Sequence, residues 1–123
     1  MRFNCFLIIL AVLVLSVPVH AGVDNILKKA KQEGRIVMLE LGSEGCIPCD
    51  KMKPVMERLR KDYKGKLEVV FVDVKKDKAT GRQFGVYMIP VQVFLDKYGK
   101  EAYRHVGYFP YEEIVPVLKA LGL

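Results

Sequence analysis

The chain has 123 residues, 51% of them hydrophobic and 10% aromatic, and a formal net charge of +6. That length suits one ordinary domain and is too short for two, and the apolar content excludes a disordered or low-complexity chain. The charge is moderate and scattered over Lys28, Lys29 and Lys31, then Lys51, Lys53, Arg58, Arg60 and Lys61, then Lys75, Lys76 and Lys78. It reads as solvated helix and loop faces, so no nucleic-acid partner is expected.

Residues 1–21 stand apart from the rest. Arg2 is the only charge before Asp24, an apolar run from Cys5 to Val19 follows it, and Val19-His20-Ala21 precedes Gly22. A positive start, an apolar middle and a small-x-small end are the three parts of a secretory signal peptide. Residues 1–21 are expected to be that peptide, and residues 22–123 the mature domain. The alternative is an uncleaved N-terminal membrane anchor. The run is short for one, because a span needs ~20 residues. An exported protein, placed in the bacterial periplasm, follows from this reading.

In the mature chain, Asp24 caps a first helix reaching Glu33, with Ile26, Leu27 and Ala30 on one face. Ile36 to Leu41 is apolar except for Glu40, the pattern of a central strand buried on both faces. Gly42 to Gly45 form a loop. A second helix runs from Cys46 to Tyr63, with Met52, Val55, Met56 and Leu59 toward the core and a kink expected at Pro54. Leu67 to Val74 is a strand, Asp77 to Phe84 a short helix or turn, and Val91 to Leu95 a third strand. A turn at Asp96 to Gly99 leads into a fourth strand, Lys100 to Val106, and Pro110 to Leu121 is the last helix. A βαβ unit followed by a hairpin gives an α/β domain, a four-stranded mixed sheet flanked by helices on both faces.

Chemistry concentrates at Cys46-Ile47-Pro48-Cys49. With Cys5 removed in the leader, this pair holds the remaining cysteines. A disulfide closing so small a loop does little for folding, which makes the pair reactive rather than structural. A C-x-x-C that follows a strand and opens a helix is a redox signature. Backbone N–H groups and the helix dipole favour a thiolate at Cys46, and thiolate is the nucleophile of disulfide exchange. Cys49 lies one turn deeper on the same face, placed to resolve the mixed disulfide. The rival reading is half of a metal site. Structural zinc wants four ligands, and the mature chain offers one further soft ligand, His105. That leaves two-coordinate Cu(I) as the surviving metal alternative. No metal and no cofactor beyond the cysteine pair are expected.

Glu40 is the one charge in an apolar strand. Burial raises a carboxyl pKa and makes Glu40 a candidate acceptor for the Cys49 proton. Ile89-Pro90 stands directly before a strand, where proline is tolerated. Gly107 ends the hairpin.

From Ile36 to Leu121 the chain resembles thioredoxin. The shared features are a carboxylate before the first cysteine, C-x-P-C, Pro54 in the active-site helix, FGVYMIPV, the D-K-Y-G-K-E hairpin and the glycine after it. The resemblance implies the thioredoxin fold, a cis Ile89-Pro90 bond beside the cysteines, and Cys46 as nucleophile. It also implies that Gly45, Ile47, Met88, Ile89, Pro90 and Gly107 converge at one end of the sheet as a docking face. Backbone groups beside Pro90 would then be free to pair with an extended client. Expected partners are disulfide-containing client proteins and a membrane thiol electron donor, with the protein itself a monomer.

Several positions depart from the family pattern. The tryptophan before the first cysteine is Gly45, the glycine between the cysteines is Ile47, and the threonine after the cis proline is Val91. The buried aspartate is Glu40, similar to exported reductants of the cytochrome c maturation type, and its lysine partner corresponds to Phe71. The fold's first strand is absent. Strong oxidants of this fold carry histidine between the cysteines. Ile47-Pro48 adds no charge there, so a reductase is expected, with an oxidase, an isomerase or a non-enzymatic binding module as alternatives.

Overall fold

The computed structural model describes residues 21–123; the expected leader lies outside them except for Ala21. The elements are α1 (Ala21–Gln32), β1 (Ile36–Gly42), α2 (Ile47–Asp62), β2 (Leu67–Asp73), α3 (Lys78–Gln83), β3 (Val91–Leu95), β4 (Glu101–Val106) and α4 (Tyr111–Ala120). This is the order anticipated from sequence.

The sheet runs β2-β1-β3-β4. The α2 crossover makes β1 and β2 parallel, while β3 pairs antiparallel with both β1 and β4. Every residue of β1 and β3 is buried. Alternation along the strands splits the core in two. Ile36, Met38, Leu67, Val69 and Phe94 pack with Met52, Met56 and Leu59 of α2 and with Ile114 and Leu118 of α4. Val37, Leu39, Leu41, Val70, Val72, Val91, Val93 and Leu95 form the opposite layer with Ala30 of α1.

One local expectation changes. Among the described residues α1 runs from Ala21, so Asp24 sits inside the helix rather than at its cap. Its inward stripe is Val23, Leu27 and Ala30; Ile26 lies at the edge of that stripe and is 38% exposed. Helix α2 is continuous through Pro54. Pro54 is exposed, and its missing N–H leaves one bond of the helix unmade. The α2 stripe of Met52, Val55, Met56 and Leu59 is buried as expected, each side chain contributing on the order of 1.5–3 kcal/mol.

Candidate active site

Strand β1 delivers the chain to the site. After Gly42, a short loop turns at Gly45, whose φ of +75° favours glycine. The loop is tied to β2 by Glu44 N–H donating to Asp73 Oδ2 at 3.3 Å and by Lys76 Nζ at 3.2 Å from Glu44 Oε2. Cys46 then takes an extended conformation as the N-cap of α2, and its carbonyl accepts from Asp50 N–H at 2.9 Å. Its sulfur therefore stands at the positive end of the helix. Pro48 falls in the first turn, where its missing N–H removes nothing the helix uses.

Cys46 and Cys49 are joined as a disulfide, with Cα atoms 5.1 Å apart. Their exposures differ: Cys46 is half-buried, Cys49 is 3% exposed, and Ile47 between them is 74% exposed. One sulfur meets solvent and the other meets the core, the asymmetry that attack followed by resolution requires. Cys49 rests on Gly42: a Cβ at Gly42 would stand 3.1 Å from the Cys49 sulfur.

Glu40 lies two residues before Gly42 on the same face of β1 and is fully buried. Phe71 of β2 pairs with it on one side and Gln92 of β3 on the other. Phe71 thus occupies the place where the resemblance puts a lysine, and no cation faces the carboxylate from β2. Gln92 Nε2 donates to Glu40 Oε1 at 3.2 Å. Among the described residues, Glu40 Oε2 and Gln92 Oε1 have no hydrogen-bond partner. Burial raises the Glu40 carboxyl from 4.5 to about 8, against the smaller opposing effect of the Gln92 N–H.

The other site residues reach the same end of the sheet. Leu41 is paired with Val91, so Pro90 sits level with the end of β1, buried, with a cis Ile89-Pro90 bond. Gly107 N–H donates to the Pro90 carbonyl at 2.7 Å. That carbonyl is therefore engaged within the fold, which leaves Ile89 as the backbone neighbour of Pro90 to consider. Among the described residues no backbone hydrogen bond engages Ile89. Met88 is 68% exposed, Ile89 half-buried and Gly45 exposed.

Sequence reasoning missed two features here. Tyr87 is 96% exposed and Tyr108 44%, next to Met88 and Gly107. Gln92 is the one polar residue of a fully buried strand, and the logic applied to Glu40 in β1 would have singled it out.

A thioredoxin-like domain model matches residues 23–122. A thioredoxin of Staphylococcus aureus is 30% identical over 89 residues, covering 72% of this chain and 85% of that one. A solved thioredoxin of Nicotiana alata superposes with a TM-score of 0.71 at 26% identity, over 80% of this chain and 84% of its own. A mutant thioredoxin of Halobacterium salinarum gives 0.70 at 21% identity, over 79% and 83%. With its dithiol pair at the start of α2, the chain belongs to the thioredoxin-like family and is a thiol–disulfide oxidoreductase.

Proposed function

We propose that this protein is an exported reductase, acting on disulfides of exported client proteins and recharged by a membrane thiol donor. The observation that carries the direction is the content of the active-site turn. Between Cys46 and Cys49 stand only Ile47 and Pro48, so the thiolate is stabilised by the helix start alone. Weak thiolate stabilisation leaves the dithiol the better electron donor.

Each residue has a place in the reaction. The Cys46 thiolate attacks a client sulfur, forming a Cys46–client disulfide and releasing the other client sulfur as thiolate. Glu40 takes the proton of Cys49. The Cys49 thiolate attacks the Cys46 sulfur, the client leaves with its second thiol, and the protein holds the Cys46–Cys49 disulfide. Two electrons pass to the client, and a dithiol donor must return them. No cofactor or metal enters these steps.

The client is held by Gly45, Ile47, Met88, Ile89, Pro90 and Gly107. Ile47 and Met88 are largely exposed apolar side chains, and the backbone of Ile89 offers pairing to an extended segment. Export rests on the N-terminal sequence pattern, and a monomer is expected.

The deciding measurement is the redox potential of the Cys46–Cys49 couple in a glutathione or dithiothreitol buffer, alongside insulin reduction. A potential near the ~−270 mV of reducing members supports the reductase. One near the ~−120 mV of strong oxidants makes it an oxidase. No insulin reduction leaves a binding module.

A further inference from the structure

Glu40 and Gln92 face each other as a registered pair across β1 and β3. Both are fully buried, and each keeps one oxygen without a partner. One hydrogen bond links them, from Gln92 Nε2 to Glu40 Oε1 at 3.2 Å. While Glu40 is ionised, it is acceptor-only and its Oε2 stays unmatched, as does Gln92 Oε1. A single proton on Oε2 resolves both. The new O–H donates to Gln92 Oε1, and the carboxyl and amide then form a two-bond ring.

We propose that Gln92 is the positioning residue of the Glu40 proton step, its amide holding the carboxylate through N–H and the protonated acid through N–H and C=O together. This rests on the reading of Glu40 as acceptor of the Cys49 proton. The proton leaves Cys49 Sγ, binds Glu40 Oε2 and is held against Gln92 Oε1. It returns along the same atoms when Cys49 is reduced. Glu40 changes charge without changing place. Glu44, Asp50, Lys53 and Arg60 line a pocket with Cys49 and Phe71; Lys53 pairs with Asp50 and Arg60 donates to the Val69 carbonyl. Phe71 faces Glu40 from β2. Helices α2 and α4 cover the layer with Met52, Met56, Ile114 and Leu118, and Cys49 is the titratable group α2 buries there. The charged Arg58, Asp62 and Glu112, which join α2 to α4, are exposed. His105 stands opposite Gln92 on β4. Its Nε2 lies 3.1 Å from the Tyr108 carbonyl and its ring stacks on Phe109 at 4.0 Å.

The test is infrared difference spectroscopy on the oxidised protein, below the Glu40 midpoint. Subtracting Glu40→Gln isolates the carbonyl band of the Glu40 acid. In Gln92→Met the band moves to higher frequency, as for an acid without a partner, and stopped-flow reduction of a peptide disulfide near neutral pH slows roughly tenfold, part of the ~10²–10⁴ that a general base supplies. An unmoved band in Gln92→Met overturns the pairing. Gln92→Glu keeps the shape and puts two carboxyls on one proton, so the pH–rate profile gains a second midpoint; a single unshifted midpoint also overturns it. Failure of the underlying reading looks different: Glu40→Gln then leaves the pH–rate profile intact while the band shift in Gln92→Met remains.

Discussion

Gly42 and Cys49 are held so close that a side chain at position 42 would press on the Cys49 sulfur. A Cβ there would meet the Cys49 sulfur at 3.1 Å, its Cβ at 3.3 Å and the Phe71 ring at 3.4 Å. Gly42 carries no positive φ, so the demand is for space and not for backbone freedom. The resolving cysteine is thereby seated directly on the strand that carries Glu40.

Gly42→Ala is expected to destabilise the protein by about 1–3 kcal/mol, the usual cost of overpacking a tight site. Because the displaced group is Cys49, resolution of a mixed disulfide should slow as well. Thermal melting and single-turnover kinetics check both. An unchanged melt with an unchanged rate would show that Cys49 tolerates the methyl group.

The two cysteines should behave oppositely when replaced. Cys46→Ser is expected to abolish exchange, because the half-buried sulfur at the helix start is lost. Cys49→Ser is expected to retain attack and to accumulate Cys46–client disulfides, visible on a non-reducing gel and by mass. Trapping by Cys46→Ser through Cys49 would reverse the assigned roles.

Glu40 should leave a pH signature on stability. Its carboxyl is raised from 4.5 to about 8 in the fold, so the folded protein holds a proton that the unfolded chain has already released. The stabilisation this gives is fully present below pH 4.5 and is lost as pH rises through about 8. The whole effect is on the order of several kcal/mol. Urea melts of the oxidised protein should show stability falling across this window, and Glu40→Gln should flatten the slope. Keeping the disulfide intact removes the cysteines from the titration. A slope that survives in Glu40→Gln would assign it to another group.

Much of this architecture is legible in the sequence because burial writes itself into composition. IVMLEL announces a central strand, and the spacing of Met52, Val55, Met56 and Leu59 fixes which side of α2 faces the sheet. The same reasoning isolates Glu40 as the anomaly in β1. It does not supply partners, since opposition across strands depends on register. That Glu40 meets Gln92 and Phe71 follows from β1 pairing with both β3 and β2, a long-range fact absent from local pattern. The place of Asp24 inside α1 was hidden for a different reason: aspartate fits a helix cap and a helix first turn equally well. Pairing of Gly107 N–H with the Pro90 carbonyl depends likewise on how β4 leaves the sheet.

The docking face gives the last prediction. Ile47, Met88 and Tyr87 are 74%, 68% and 96% exposed; Ile47 follows Cys46 in the chain, and Tyr87 and Met88 lead into the Ile89-Pro90 bond. Apolar side chains left in water beside a reactive group mark a surface that a partner covers, and methionine adapts to varied shapes. With the Pro90 carbonyl already bonded to Gly107, the backbone of Ile89 is the group left for strand-like pairing with a client. A Cys49→Ser variant joined through Cys46 to a client peptide should therefore show amide chemical-shift changes at Met88 to Val91 and at Gly107, besides those around Cys46. Met88→Asp should raise KM for a peptide disulfide several-fold and leave kcat nearly unchanged, because the proposed docking face puts Met88 on the client away from the reacting sulfurs. Shift changes confined to the Cys46 loop, or a Met88→Asp variant with wild-type KM, would remove residues 87–91 from the docking face.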